Sequence, residues 1–274
     1  MRPLGLIVAF YIICFVVLGI LEVVAELIAG PKVTNSREAL FQWLTLASAL
    51  IATWVMLRRV EKLPWSSVGL GREALAPRTV VTGTVLGGFT IGLATLLLLA
   101  GHLMRIETTK QGSWWGQAGA SAFVLLPAAF FEELLMRGYA FSVIRRYAGW
   151  RLALIATSIV FGLLHAGNQG ADAETILAVT VAGFFLGMLL LATQSLYAAG
   201  AAHFAWNWVM AGGFHIAVSG IPSGDVDYRM VETGPDWLTG GQWGPEGGLA
   251  AVALMFVAIF YLYGRYLRHM EWKA

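Results

Sequence analysis

Residues 118–143 read AGASAFVLLPAAFFEELLMRGYAFSV, an apolar run in which three charged residues, Glu132, Glu133 and Arg137, occur close together. A helix needs about 20 apolar residues to cross the hydrocarbon core of a bilayer, and this run is long enough. A membrane-barrel strand would instead alternate in polarity over about 10 residues, which this stretch does not. The stretch therefore predicts a membrane-spanning helix with charged residues inside it.

The composition of the whole chain also indicates a membrane protein. Charged residues make up 12% of the 274 residues, apolar residues make up 58%, and the mean hydropathy is +0.71. Soluble domains carry about 25% charged residues, and a compact soluble fold could not bury this much apolar surface. The same numbers exclude a disordered chain and a coiled coil, and the single cysteine excludes an intrachain disulfide. We predict an all-α, polytopic helix bundle that forms one domain over 1–274.

Eight apolar runs follow one another along the chain. The predicted spans are 4–29, 39–57, 79–101, 118–143, 152–166, 174–193, 196–217 and 248–264. The fifth span is short, and almost nothing separates the sixth from the seventh. The segment 218–247 is the long connection, rich in Gly and Pro, and connections of this length are usually functional or mobile.

The basic residues predict how the chain is oriented. Twelve of them fall at the N-terminus and in the even-numbered connections, and five fall in the odd-numbered ones. Because basic residues concentrate in cytoplasmic connections, we predict a multi-pass protein of the plasma membrane with both termini in the cytoplasm. This asymmetry also accounts for the net charge of +2, so we expect no nucleic-acid partner.

Ionisable side chains inside a span cost free energy and mark functional sites. Glu132 and Glu133 are adjacent, so they point about 100° apart around a helix and face different neighbours. Glu133 and Arg137 are four residues apart, in the order that favours a helical ion pair. We therefore expect Glu133 to neutralise Arg137 and Glu132 to remain free as a general base. The alternative is a buried polar clamp without chemistry.

Two later spans carry polar residues that could meet Glu132. His165 ends the fifth span, and His203 and Asn207 share one face of the seventh because four residues separate them. Counted from the cytoplasmic ends of their helices at 1.5 Å per residue, Glu132 and His165 both lie about 20 Å deep. His203 lies only about 12 Å from the connection before it, so it reaches that level only if this connection is submerged.

The order Glu-Glu-x-x-x-Arg, Phe-x-x-x-His and His-x-x-x-Asn on separate spans resembles the CAAX-protease and bacteriocin-processing (CPBP, or Abi) family of intramembrane endopeptidases, which includes the Ras-converting CAAX protease. The resemblance covers a motif-bearing core at about 118–217. It implies that Glu132, assisted by His165, activates water, and that His203 and Asn207 stabilise the oxyanion. It assigns support of the helix to Glu133 and Arg137. It also implies membrane lipid and a peptide or protein substrate as partners.

The candidate residues leave two mechanisms open. Glu132, His165 and His203 have the composition of a catalytic zinc ligand set. No span carries His-Glu-x-x-His, and Asn207 suits an oxyanion better than zinc, because amides are poor zinc ligands. We therefore favour a mechanism without a cofactor and keep Zn²⁺ as the alternative.

Two other functions are compatible with the sequence. A non-catalytic member of the same family could bind a peptide or protein as an immunity or assembly factor, because a fold does not fix a function. A proton-coupled transporter could use Glu132 and Glu133, but the chain lacks paired Gly- or Pro-broken helices in two related halves. The sequence leaves the oligomeric state and the use of prenylated substrates open.

Overall fold

The computed structural model describes residues 3–29, 37–109, 112–224 and 227–271, and most of them are helical. The helices are α1 (Pro3–Ala29), α2 (Arg37–Val55), α3 (Pro77–Ala100), α4 (Trp114–Glu133), α5 (Tyr139–Leu164), α6 (Ala173–Thr193), α7 (Leu196–Trp208), α8 (Asp236–Thr239) and α9 (Leu249–Glu271). The strands are β1 (Met104–Thr108) and β2 (Tyr228–Glu232). π-Helical turns continue α2, α4 and α7 over Met56–Val60, Leu134–Gly138 and Val209–Phe214. The prediction of a polytopic helix bundle is confirmed.

Each of the eight predicted spans contains a helix, but six continuous helical runs among the described residues are long and apolar enough to cross a membrane. One of them, Trp114–Gly167, has 54 residues and contains both the fourth and the fifth predicted spans. At 1.5 Å per residue it would be about 80 Å long, far more than a bilayer. Gly149 interrupts it with φ 85° and ψ 165°. The Phe161 ring lies 4.2 Å from the Arg137 guanidinium, so the chain doubles back between them.

The seventh predicted span differs most from its observed helix. α7 has 13 residues and its π-helical continuation has six, so the run is long enough to be counted among the six. It is not apolar enough, because it contains His203 and Asn207. Its helical continuation ends at Phe214 rather than at 217. The Leu196 amide donates to the Gly69 carbonyl at 2.9 Å, and the Ser195 hydroxyl donates to the Ala74 carbonyl. The connection before α7 is therefore covered by the segment that joins α2 to α3.

Small residues let α3 and α7 approach closely. Gly83 and Gly87 are buried on α3, four residues apart. A Cβ atom added to either glycine would overlap the backbone of α7, at the carbonyls of Ala198 and Ala202 respectively. Two small residues at this spacing are typical of packed membrane helices, because the helix backbones can then touch. α7 also packs against α4, so it is a central helix of the bundle.

The predicted long connection 218–247 contains ordered structure, and the fold is not purely α-helical. β2 lies in this segment and pairs antiparallel with β1, with Met104 opposite Glu232. The segment also contains α8 and short 3-10 turns at Gly241–Trp243 and Pro245–Gly247. These elements are too short and too rich in Gly to give a periodic hydrophobic pattern. They cover the end of the bundle at which α6 and α9 begin.

Candidate active site

The double glutamate lies where α4 changes into a π-helical turn. α4 ends at Glu133, and the wider turn Leu134–Gly138 follows at once. Such turns are rare and occur frequently at functional sites. The Tyr11 hydroxyl of α1 donates to the Leu135 carbonyl at 3.0 Å, which gives this turn a partner from a neighbouring helix. The turn lies immediately beyond the two carboxylates and carries Arg137.

Glu133 and Arg137 form a fully buried ion pair. Arg137 Nη1 donates to Glu133 Oε1 at 3.0 Å, and both side chains are 0% exposed. Arg137 Nη2 donates to the Gly183 carbonyl of α6 at 3.1 Å, and its guanidinium stacks on the Phe161 ring of α5. A buried charge without a partner is strongly destabilising, so each residue of the pair depends on the other. Arg137 thereby joins the turn after α4 to α5 and α6.

His203 lies between the two glutamates. Its Nδ1 is 3.1 Å from Glu133 Oε1, and its Nε2 is 3.8 Å from Glu132 Oε2. The ion-paired Glu133 carboxylate can only accept hydrogen bonds, so His203 Nδ1 carries the proton and donates it. In the neutral ring, Nε2 is then an acceptor that faces Glu132. Glu133 thus contacts His203 as well as Arg137, a contact that helical spacing did not predict.

His165 is fixed by its own helix. It begins the 3-10 turn after α5, and its Nδ1 is 2.8 Å from the Phe161 carbonyl oxygen. Since a carbonyl only accepts, Nδ1 donates to it and Nε2 is an acceptor in the neutral ring. The Phe161 ring centroid lies 4.8 Å from that of His165 and 5.9 Å from that of His203. Phe161 therefore packs against both imidazoles, and the interactions of the described residues include none between Glu132 and His165.

A small pocket lies beside the two histidines. Its ionisable, amide and hydroxyl lining residues are His165, His203, Asn207, Ser219 and Glu246. Its remaining lining is apolar or aromatic and comes from α5, α6 and α7. A concave apolar pocket with a few convergent polar groups is the usual form of a binding site. Glu132 does not line the pocket, and its side chain is 35% exposed; it lies beside His203, which does line the pocket.

Two lining residues, Ser219 and Glu246, were not predicted from the sequence. Both belong to the connection after α7, and Glu246 occurs in the stretch Gly244-Pro245-Glu246-Gly247-Gly248. A single acid among glycines has no partner at helical spacing that would indicate burial. The available signal was the length of the connection, which is typical of functional loops.

The residues of the zinc alternative are not assembled as a metal site. Across 3–29, 37–109, 112–224 and 227–271, no group of three or more His, Cys, Asp or Glu residues is placed to hold a metal ion. His165 and His203 both donate through Nδ1 and keep Nε2 free, as zinc-bound histidines usually do. In this conformation Glu132 approaches His203 Nε2 alone, at 3.8 Å, and the three residues are not gathered around one point.

Residues 113–209 match the protein-family model described as type II CAAX prenyl endopeptidase Rce1-like. The comparisons with curated proteins and with solved structures gave no match. The matched segment runs from the start of α4 to just beyond α7 and includes Glu132, His165, His203 and Asn207. Glu246 lies outside it. The resemblance predicted from the three motifs is confirmed.

Proposed function

We propose, from the match of residues 113–209 to the Rce1-like CAAX-protease family model, that the chain is an intramembrane endopeptidase that hydrolyses peptide bonds with water activated at Glu132. One observation carries the proposal: His203 is held between Glu133 and Glu132 beside a pocket that is also lined by His165 and Asn207. A buried imidazole with one nitrogen fixed and the other facing a carboxylate is arranged for proton transfer.

The proposed first step is attack by water on the carbonyl carbon of the scissile bond. Glu132 accepts one proton from the water as the new C–O bond forms, and His165 Nε2 accepts a hydrogen bond that orients the same water. The proton then passes from Glu132 to His203 Nε2, which is 3.8 Å away. When the C–N bond breaks, the proton goes to the leaving amine, so the site returns to its starting protonation state.

The negative oxygen of the tetrahedral intermediate needs hydrogen-bond donors. The Asn207 side-chain amide is a donor whether or not a proton has moved. His203 donates through Nδ1 to Glu133, so its Nε2 can donate to an oxyanion only after accepting a proton. The proposed proton transfer from Glu132 therefore prepares His203 for this role, and Asn207 and His203 act together on one charge.

We also propose that substrate reaches the site from the non-cytoplasmic face. The connection between α6 and α7 is closed by hydrogen bonds to the segment between α2 and α3, and the basic residues concentrate at this end of the bundle. Ser219 and Glu246, from the connection at the opposite end, line the pocket. In intact cells, a membrane-impermeant maleimide should label a cysteine placed at Gln242 and not one placed at Arg72; the reverse pattern would contradict the orientation.

The test of the enzymatic proposal is the Glu132→Gln variant, purified and reconstituted in proteoliposomes. An amide of the same shape cannot accept the proton from water, so peptide hydrolysis should be lost while the protein remains folded. Glu22→Gln is the matched control, since it neutralises a carboxylate of α1 far along the chain from the motifs, and it should retain full activity. Candidate substrates come from peptidomic comparison of membranes that contain the native chain with membranes that contain Glu132→Gln.

The outcomes separate the remaining alternatives. Full hydrolysis by Glu132→Gln would refute its assignment as the base. Identical peptide profiles for the native chain and both variants would favour a non-catalytic binding protein. One tightly bound zinc per active chain, lost and restored together with activity, would favour the zinc mechanism over the one described here.

A further inference from the structure

Glu246 is a buried carboxylate at the pocket that the proposed reaction does not use. The residue is 7% exposed, and its side chain accepts three hydrogen bonds. The Trp206 indole donates to Oε2 at 2.8 Å, and the backbone amide and hydroxyl of Ser219 donate to Oε1 at 2.6 and 2.8 Å. All three donors are neutral, and the ion pairs among the described residues do not include Glu246.

A buried carboxylate that lacks a cation is costly, so its position calls for a reason. A carboxylate only accepts hydrogen bonds, which lets it satisfy three donors at once. A glutamine side chain ends in one oxygen, which accepts, and one nitrogen, which donates. If its oxygen faced Ser219, its nitrogen would direct an N–H group at the Trp206 indole N–H, and in the opposite orientation at the Ser219 backbone N–H. The chemistry of the three donors therefore requires the acid at position 246.

The contacts of Glu246 join the two helices that supply the pocket histidines. Trp206 lies on α7, between His203 and Asn207 in sequence. Ser219, at the other side of the carboxylate, accepts a hydrogen bond through its carbonyl from Asn168 Nδ2 at 2.9 Å. Asn168 directly follows the 3-10 turn that begins with His165. A continuous chain of hydrogen bonds, the outer brace, thus runs through Asn168, Ser219, Glu246 and Trp206.

We propose that Glu246 is a positioning residue, which through the outer brace holds the α7 turn bearing His203 and Asn207 in register with His165. The inference rests on the proposed endopeptidase function. Glu246 acts through Trp206 and Ser219 and takes no part in the proton transfers of the proposed reaction. Because misplacement of a catalytic group by about 1 Å can cost about 100-fold in rate, a loosened brace should affect the chemical step.

The first test is the kinetics of Glu246→Gln. We expect kcat to fall by about 10- to 100-fold while KM stays within about threefold, since the lost register matters in the transition state. Trp206→Phe breaks the same hydrogen bond, so the double variant should be no slower than the slower single variant. Glu232→Gln, which changes another partly buried carboxylate of this connection, is the control and should retain native kcat. A raised KM with native kcat, or multiplicative losses in the double variant, would overturn the inference.

A second test does not depend on catalysis. In a Cys14→Ala background, a cysteine at the pocket residue Ala182 reports how often the pocket opens to a maleimide. Loss of a buried hydrogen bond to a charged group should raise the labelling rate about tenfold in Glu246→Gln and leave it unchanged in Glu232→Gln. An unchanged rate in Glu246→Gln, or an equal rise in both variants, would overturn the inference. If the native chain hydrolyses no peptide, but the labelling rate still rises in Glu246→Gln and not in Glu232→Gln, the outer brace is supported and the endopeptidase function is refuted.

Discussion

Replacement of Arg137 by Met should strongly destabilise the protein, because it leaves the Glu133 carboxylate buried without its cation. Both side chains are 0% exposed, and breaking a buried pair from one side costs about 3–5 kcal/mol. Methionine fills much of the arginine volume, so a cavity contributes little. The hydrogen bond to Gly183 and the Phe161 contact are lost as well, which places the expected change in the upper half of that range.

The measurement is the free energy of unfolding in mixed micelles titrated with SDS. Arg146→Met is the matched control, since Arg146 pairs with Glu61 at 2.9 Å but is 35% exposed, and an exposed pair contributes about 1 kcal/mol or less. The double variant Glu133→Gln with Arg137→Met removes both charges and keeps an acceptor for His203, so it should recover at least half of the loss. Equal effects of the two single variants, or a double variant no more stable than Arg137→Met, would refute the reasoning.

Two further predictions concern α7. Asn207→Ala should lower kcat by about 100- to 1,000-fold with little change in KM, as measured by steady-state peptide hydrolysis, because an oxyanion donor acts in the transition state; a raised KM alone would contradict this. Gly87→Ala should prevent stable folding, since its Cβ would overlap the Ala202 carbonyl. Gly88→Ala is the control, because its Cβ would lie 3.5 Å from the nearest side-chain atom. It should unfold at the same SDS concentration as the native protein. Equal stability of the two variants would count against close α3–α7 packing.

The features that the sequence predicted well are those encoded by local spacing. Continuous apolar runs predicted where the helices lie, and the four-residue separation of Glu133 and Arg137 predicted an interaction that is present at 3.0 Å. In both cases the deciding residues are neighbours along the chain. Helix geometry alone then determines how they meet.

The features that the sequence did not predict depend on contacts between distant segments. The hydrogen bond of His203 to Glu133 joins residues 70 positions apart, and that of Trp206 to Glu246 joins residues 40 apart. The cover of the connection before α7 also depends on a distant segment, since the Ser195 hydroxyl donates to the Ala74 carbonyl, 121 positions away. The reversal at Gly149, by contrast, lies between the fourth and fifth predicted spans, beside Arg145, Arg146 and Arg151, so the sequence did predict it.

The charges around the pocket determine the order in which the proposed reaction must proceed. Glu132, Glu133 and Glu246 contribute three carboxylates, and Arg137 contributes one guanidinium. A tetrahedral oxyanion would add another negative charge to a site that already has an excess of them. If the proton released by the water were lost to solvent, the added negative charge would remain uncompensated in a region of low dielectric, where repulsion between charges is strong. The proton must therefore stay within the site, first on Glu132 and then on His203 Nε2, until the C–N bond breaks and the leaving amine takes it.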